Sequence, residues 1–380
     1  MSTQFATIAT IDAPMTLRNR ATLGPVQLAY ETWGTLAPGR NNAVLVFHAL
    51  TGSHHAAGHD PHGPGSADAP WPWWTEEYHT GWWDDFIGPG KAIDTDHWFV
   101  ICANYLGGCY GSTGPNSLHP DGTPWGSRFP WVTVSDVVDS QVALLDQLGI
   151  QRLRAAIGGS VGGFCAADLA LRYPHRVEVV IPVASGLSAT PLSRAHNIEQ
   201  IAAIEFDPDF RGGDYYAGNP PTRGLLLARM IGHKSFVSLG KMKGRARAQV
   251  HPAPELASYK LQDPSESYLF HQARKFVPRF DANSYLRIMH MWQAFDLARQ
   301  EGGGDAVAAL RGVPHQRWLL FSIDSDECFP REEQAAMNAA LEAAGVPVLW
   351  ITVHSDKGHD SFLLDAPLYA PHYRKALERG

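Results

Sequence analysis

The apolar run from Leu153 to Gly158 passes directly into Gly158-Gly159-Ser160-Val161-Gly162-Gly163. A second apolar stretch follows, Phe164 to Tyr173, and Pro174 ends it. A strand that stops at a small-residue turn and restarts as a helix fixes the chain direction on both sides of one serine. Such a turn is sharp and needs small neighbours if the hydroxyl is to project from the sheet edge, and the helix N-terminus favours negative charge developing there. Ser160 is the candidate nucleophile.

The rest of the chain supplies the sheet around that turn. Strand-like runs recur at Val26 to Trp33, Ala43 to Ala49, Trp98 to Ala103, Val177 to Ala184, Arg317 to Ile323 and Val346 to Val353, with helical or loop segments between them. Strands alternating with helices predict a mainly parallel sheet with helices on both faces. Between Asp136 and Gly149 the apolar residues fall at helical spacing. After Ser185 the strand rhythm stops. HNIEQIAAI, RGLLLARMIG and NSYLRIMHMWQAFDLA read as helix, up to the flexible Gly302-Gly303-Gly304. The chain therefore divides into a core, residues 1–185 and 305–380, and an inserted helical cap, residues 186–304. Residues 59–80, rich in Pro, Gly and Trp, form a long surface excursion of a kind that often carries function.

A serine hydroxyl needs a base and an orienting carboxylate, which in the α/β-hydrolase fold follow it in the order Ser, Asp, His. Gly358-His359-Asp360 follows the last strand, and Asp324 and Asp326 both follow the strand at Arg317. His359 is the candidate base. Asp326, farther past its strand, is favoured over Asp324 as the acid that holds the imidazole. The oxyanion hole needs two backbone N–H groups; Val161, next to the nucleophile, and Leu50, after the strand ending at Phe47, are the candidates.

Composition limits the alternatives. Hydrophobic residues make up 44% and charged residues 18%, enough for a large core. A formal net charge of -7 argues against a nucleic-acid partner while allowing a local basic patch for a small anion. No run nears the roughly 20 apolar residues that span a bilayer, and the N-terminus has no basic-then-apolar pattern, so a cytoplasmic protein without membrane contact is expected. The four cysteines form no CxxC pair and are expected to be reduced thiols. His54, His55, His59 and His62 match no standard zinc spacing, and no metal is expected.

The segments HALTGSHHAAG, GWWDDFIGPGKAIDT, NYLGGCYGSTGPNSL, GGSVGG, GLLLARMIGH, KFVPRFDANSYL, SIDSDECFP and GHDSFLL run in order from about Leu23 to Leu363. In these the chain resembles the homoserine O-acetyltransferase family. The resemblance implies an α/β-hydrolase fold, acetyl-CoA as donor and co-substrate with no permanently bound cofactor, L-homoserine as acceptor, a place in methionine biosynthesis, and a homodimer built through the cap. It implies Ser160, Asp326 and His359 as the triad, with Arg229 and Asp360 at substrate-contacting positions. A guanidinium can hold the acceptor carboxylate bidentately and a carboxylate can hold its ammonium. This chain departs from the family at Val161, where Met or Leu is usual, and over residues 185–204 at the cap entrance.

Donor choice is expected to turn on Cys328. Acetyl users of the family commonly have Leu there and succinyl users Arg, and cysteine offers a succinyl carboxylate no charge partner. A cation from the divergent segment, such as Arg194, is the candidate substitute. The basic run Lys241, Lys243, Arg245 and Arg247 is a candidate for the coenzyme A phosphates. The alternatives are transfer of succinyl, serine as acceptor, or an esterase or thioesterase using the same triad on water.

Overall fold

The computed structural model describes residues 2–66, 68–69, 71–246 and 249–378. Arg247, the last member of the basic run, lies outside the described residues. The sheet is built of β1 (Gln4–Ala9), β2 (Val26–Trp33), β3 (Ala43–Phe47), β4 (Phe99–Ala103), β5 (Leu153–Gly159), β6 (Val177–Val183), β7 (Arg317–Ile323) and β8 (Val348–Val353). In space the order is β1-β2-β4-β3-β5-β6-β7-β8. β2 is antiparallel to both of its neighbours, and every other pair is parallel. This is the mainly parallel sheet that the alternation of runs predicts.

β3 and β5 are buried at every position, because a parallel sheet covered on both faces has no solvent side; such strands read as continuous apolar runs. The two-residue period survives in what the side chains touch. Leu45, Phe47 and Ala156 join one core, while Val44, Val46, Ala155 and Ile157 join the other. The first core is completed by α1 (Val134–Gln147) and α2 (Val161–Arg172), the second by the C-terminal helix Ala366–Leu377. The one charge in β5, Arg154, is buried and donates from Nε to the Leu377 carbonyl at 2.8 Å, so it caps that helix and ties it to the central strand. α1 starts on a capping box in which Thr133 and Asp136 exchange side-chain and backbone bonds.

Between β6 and β7 the chain forms α3 (Pro191–Glu205), α4 (Thr222–Phe236), α5 (Leu239–Arg245), α6 (Pro264–Phe276), α7 (Ala282–Ala294), α8 (Leu297–Glu301) and α9 (Ala306–Leu310). α4 packs on both α3 and α6. The run NSYLRIMHMWQAFDLA, read from sequence as one helical piece, breaks at Phe295: the Asp296 side chain accepts from the Arg299 N–H at 3.0 Å and starts a new helix. β1 escapes the sequence reading because it is an edge strand with four of its six positions at least partly exposed.

α2 begins at Val161, ahead of Phe164, so Gly162 lies inside the helix. A side chain has no room there: a Cβ on Gly162 would sit 2.4 Å from the Phe47 carbonyl oxygen, and one on Gly158 would sit 2.1 Å from the Gly162 oxygen. The glycines let the first turn of α2 lie directly against the ends of β3 and β5. Helix propensity alone would make Gly162→Ala stabilising by about 1 kcal/mol. Overpacking against backbone predicts instead a loss of about 1–3 kcal/mol in urea unfolding. A raised midpoint would contradict this packing.

Candidate active site

Ser160 sits between β5 and α2 with φ 58° and ψ −126°. A side-chain-bearing residue adopts that region at a cost of about 1–3 kcal/mol, tolerated where surrounding structure over-determines it. The constraints are visible. Ser160 donates its N–H to the Val183 carbonyl at 2.9 Å, and its own carbonyl accepts from the Gly163 N–H and the Ser185 hydroxyl, both at 2.9 Å. The hydroxyl is thereby held at the mouth of a cleft of about 200 Å³.

His359 reaches the same cleft from the single turn Gly358–Asp360 that follows β8. Its Nδ1 lies 2.7 Å from Asp326 Oδ2. The other carboxylate oxygen of Asp326 accepts from the Cys328 and Phe329 N–H groups at 2.8 and 2.9 Å. With Nδ1 bonded to the carboxylate, Nε2 becomes the basic nitrogen. Nε2 is buried and has no hydrogen-bond partner among the described residues. The imidazole is stacked on Phe329 at 5.4 Å, with Phe362 edge-on at 5.2 Å, so the ring plane is fixed by packing as well as by the bond. Asp324 turns elsewhere: it bonds His354 Nδ1 at 2.8 Å and the Ser355 N–H at 3.0 Å.

Leu50 lies in the loop that floors the cleft, and Val161 opens α2, where the first-turn N–H groups have no intrahelical partner. The loop is pinned at several points. The His48 ring stacks on Tyr105 at 3.7 Å, the Gly52 N–H donates to the Ala49 carbonyl at 3.0 Å, and the Tyr78 hydroxyl donates to the Thr51 carbonyl at 2.6 Å. Burial lowers the His48 imidazole to about 4, so it is a neutral prop. Donors held this way need no reorganisation as charge develops.

Two opposite charges line the same cleft as Ser160. Arg229, on α4, lies over the rings of Phe276 at 4.8 Å and Phe236 at 5.5 Å, and Asp360 follows the base. They make no ion pair within 4 Å, yet each feels the other. Burial raises the Asp360 carboxyl against the pull of Arg229 and His359, and lowers the Arg229 guanidinium, with the nearby Arg279 charge adding to that effect. Both side chains line the cleft of about 200 Å³ that also holds Ser160.

The sequence reading named other residues that the structure sets apart from the cleft. Cys328 is buried beside it, in a small cavity with Ser193, Ser235 and Trp292; Phe236 walls both spaces. Arg194 donates to the Ala189 and Gln293 carbonyls within the cap. Of the four histidines, His54 bonds Thr3 and lies 3.7 Å from the buried Glu31, which His55 bonds, while His59 meets His79 edge-on and His62 is exposed. The excursion itself has a place in the site that its composition did not reveal, since Glu77, Tyr78 and Thr80 form one wall. Arg279 is a further lining residue that sequence reasoning passed over; it stands inside KFVPRFDANSYL with no local pattern to mark it.

A family model described as "alpha/beta hydrolase fold" matches residues 42–366. The homoserine O-acetyltransferase of Solidesulfovibrio magneticus is 42% identical over 95% of this chain and 88% of its own length. The homoserine O-succinyltransferase of Bordetella pertussis is 44% identical over 97% of this chain and 86% of its own. Among solved structures, homoserine O-acetyltransferase from Bacillus anthracis superposes with a TM-score of 0.86 at 28% identity, covering 100% of this chain and 98% of that one. Esterase E22 superposes equally well, at 0.86 and 26% identity over 99% and 100%. Among the described residues no helix is long and apolar enough to cross a membrane.

The two aspartates after β7 separate by function. Asp326→Asn should reduce turnover of an activated nitrophenyl ester by about 10⁴-fold, because an amide cannot stabilise the imidazolium. Asp324→Asn, which loosens only an exposed contact to His354, should stay within about twofold. The reverse order would move the orienting role to Asp324.

Proposed function

Because this chain belongs to the α/β-hydrolase family of homoserine O-acyltransferases, we propose that it transfers an acetyl group from acetyl-CoA to the hydroxyl of L-homoserine. The observation that carries this reading is the pair Arg229 and Asp360 in the one small cleft that holds Ser160 and His359. An acceptor with a carboxylate and an ammonium meets a complementary charge for each; water needs neither.

The reaction runs in two halves. Ser160 Oγ attacks the thioester carbonyl as its proton passes to His359 Nε2, and the N–H groups of Leu50 and Val161 hold the oxyanion. The carbon–sulfur bond breaks, and coenzyme A leaves with the proton from His359. Homoserine then binds; His359 takes its hydroxyl proton, the oxygen attacks the acyl carbon, and the proton returns to Ser160 as the ester departs. Asp326 stabilises the imidazolium in both halves. Transfer outruns hydrolysis because the helical insert serves as a cap over the cleft, and the two charges hold the acceptor hydroxyl near the acyl carbon.

The relatives divide between acetyl and succinyl transfer, so the donor is argued from the site. Cys328 carries no charge and Arg194 is engaged with cap carbonyls. A succinyl carboxylate would have to occupy a guanidinium that the acceptor needs, or be buried unpaired at a cost of several kcal/mol. The coenzyme A phosphates are assigned to the basic run, of which Lys243 and Arg245 are exposed on α5. The enzyme is read as a cytoplasmic homodimer of methionine biosynthesis.

The likeness to esterase E22 favours one second reading, hydrolysis by the same triad. Steady-state rates with acetyl-CoA and succinyl-CoA at equal concentration, each with homoserine, serine or no acceptor, separate the readings. The expected result is a higher kcat/KM for acetyl-CoA and for homoserine, with Arg229→Lys raising the homoserine KM because an ammonium lacks the guanidinium fork. Coenzyme A release as fast without acceptor as with it would establish a hydrolase.

A further inference from the structure

The geometry points to Arg279 as a second substrate-binding guanidinium, which closes with Arg229 on the carboxylate of the acceptor. Both guanidiniums face one ring, with Cζ of Arg229 4.8 Å and Cζ of Arg279 5.1 Å from the Phe276 centroid. Both line the cleft that holds Ser160 and His359. Their Nε atoms are both buried without a hydrogen bond among the described residues. Two like charges held against the same aromatic ring and buried in the protein repel one another, since burial strengthens charge interactions. The repulsion is relieved when an anion sits between them.

The neighbouring groups favour the Arg279 cation against its burial, while the Arg229 guanidinium stays lowered by burial and by the Arg279 charge. Glu77 approaches Arg279 only at 3.9 Å, and it is in closer contact with Lys275. Asp360 faces Arg229 without an ion pair, and it is the group assigned to the acceptor ammonium. Arg229, Arg279 and Lys275 against Glu77 and Asp360 leave one positive charge in excess; a zwitterionic acceptor does not change that total, but it sets its carboxylate at the two guanidiniums and its ammonium at Asp360.

Arg279 is also held in place as a binding group would be. Its guanidinium lies over the Tyr78 ring at 5.1 Å, and its backbone carbonyl accepts from the Tyr110 hydroxyl. Tyr78 in turn bonds the Thr51 carbonyl beside Leu50. The excursion therefore presents Arg279 to the cleft and braces the proposed oxyanion loop with the same side chain. A carboxylate could enter from the acceptor or from the distal end of a dicarboxylic acyl donor. The acceptor is assigned because it also meets Asp360.

This inference rests on the transferase reading, so wild-type acylation by acetyl-CoA is measured first; its failure would sink that reading on its own. Acylated wild type and Arg279→Gln are then compared with homoserine and with 3-amino-1-propanol, which keeps the ammonium and hydroxyl and lacks the carboxylate. The homoserine KM should rise about 10- to 100-fold, the scale of a lost charge-assisted hydrogen bond, while the two proteins differ by less than about twofold with the amino alcohol. Arg279→Lys should recover part of the loss, and it serves as the reading if the glutamine variant unfolds in a thermal melt. Equal losses with both acceptors would make Arg279 a structural prop and overturn the proposal. So would an unchanged homoserine KM, or a defect confined to acylation by succinyl-CoA.

Discussion

The first turn of α2 lies against the carbonyl ends of β3 and β5 at a distance that admits no side chain at Gly158 or Gly162, and the site is organised around that contact. It drives Ser160 to φ 58° and presents its hydroxyl above the sheet. It also sets Gly162 of that turn against the carbonyls of Phe47 and His48, where the loop that carries Leu50 begins. One packing constraint thus sets the nucleophile and both proposed oxyanion donors together, which is why the strain at Ser160 can be retained. The carbonyl of Ser160 is tied down twice over, so the strain has no easy release.

The remaining parts approach this fixed point from separate stretches of chain. Asp326 follows β7, His359 follows β8, Arg229 lies on α4 of the insert and Tyr78 on the excursion. Each is held by contacts that do not depend on substrate: the Asp326 carboxylate by two backbone N–H groups, the imidazole by two aromatic rings, Tyr78 by the Thr51 carbonyl. A site with its dipoles already oriented stabilises developing charge without reorganising. The charged wall opposite is less complete, since Arg229 and Asp360 lack mutual contact. In the proposed reaction the two groups of residues divide the labour, one for the chemistry and one for choosing the acceptor.

Much of the fold was legible because burial leaves a plain trace. Val26–Trp33 and Arg317–Ile323 were bounded to the residue, since each is a mostly buried run that ends at turn residues. β1 left no such trace, being an edge strand with a largely exposed pattern. The helix break at Asp296 was hidden because a capping aspartate inside an amphipathic run looks like any exposed acid. The candidate triad was legible because each member follows a strand, and strand ends converge in a parallel sheet. Arg279 and Tyr78 were not, because their place in the cleft comes from tertiary contact between the excursion and the insert. The family resemblance implies a place for Cys328 beside the acyl group. The structure puts it in the adjoining cavity, since the backbone from 326 to 329 turns back to bond the Asp326 carboxylate.

The central claim is that Ser160 carries the acyl group and gives it to an amino-acid hydroxyl in preference to water. Rapid-quench mass spectrometry after mixing with acetyl-CoA should find an acetyl adduct on the peptide containing Ser160. On adding homoserine the adduct should disappear into O-acetylhomoserine much faster than it decays into acetate alone. An adduct mapped to another residue, or a decay rate that homoserine does not change, would contradict the account.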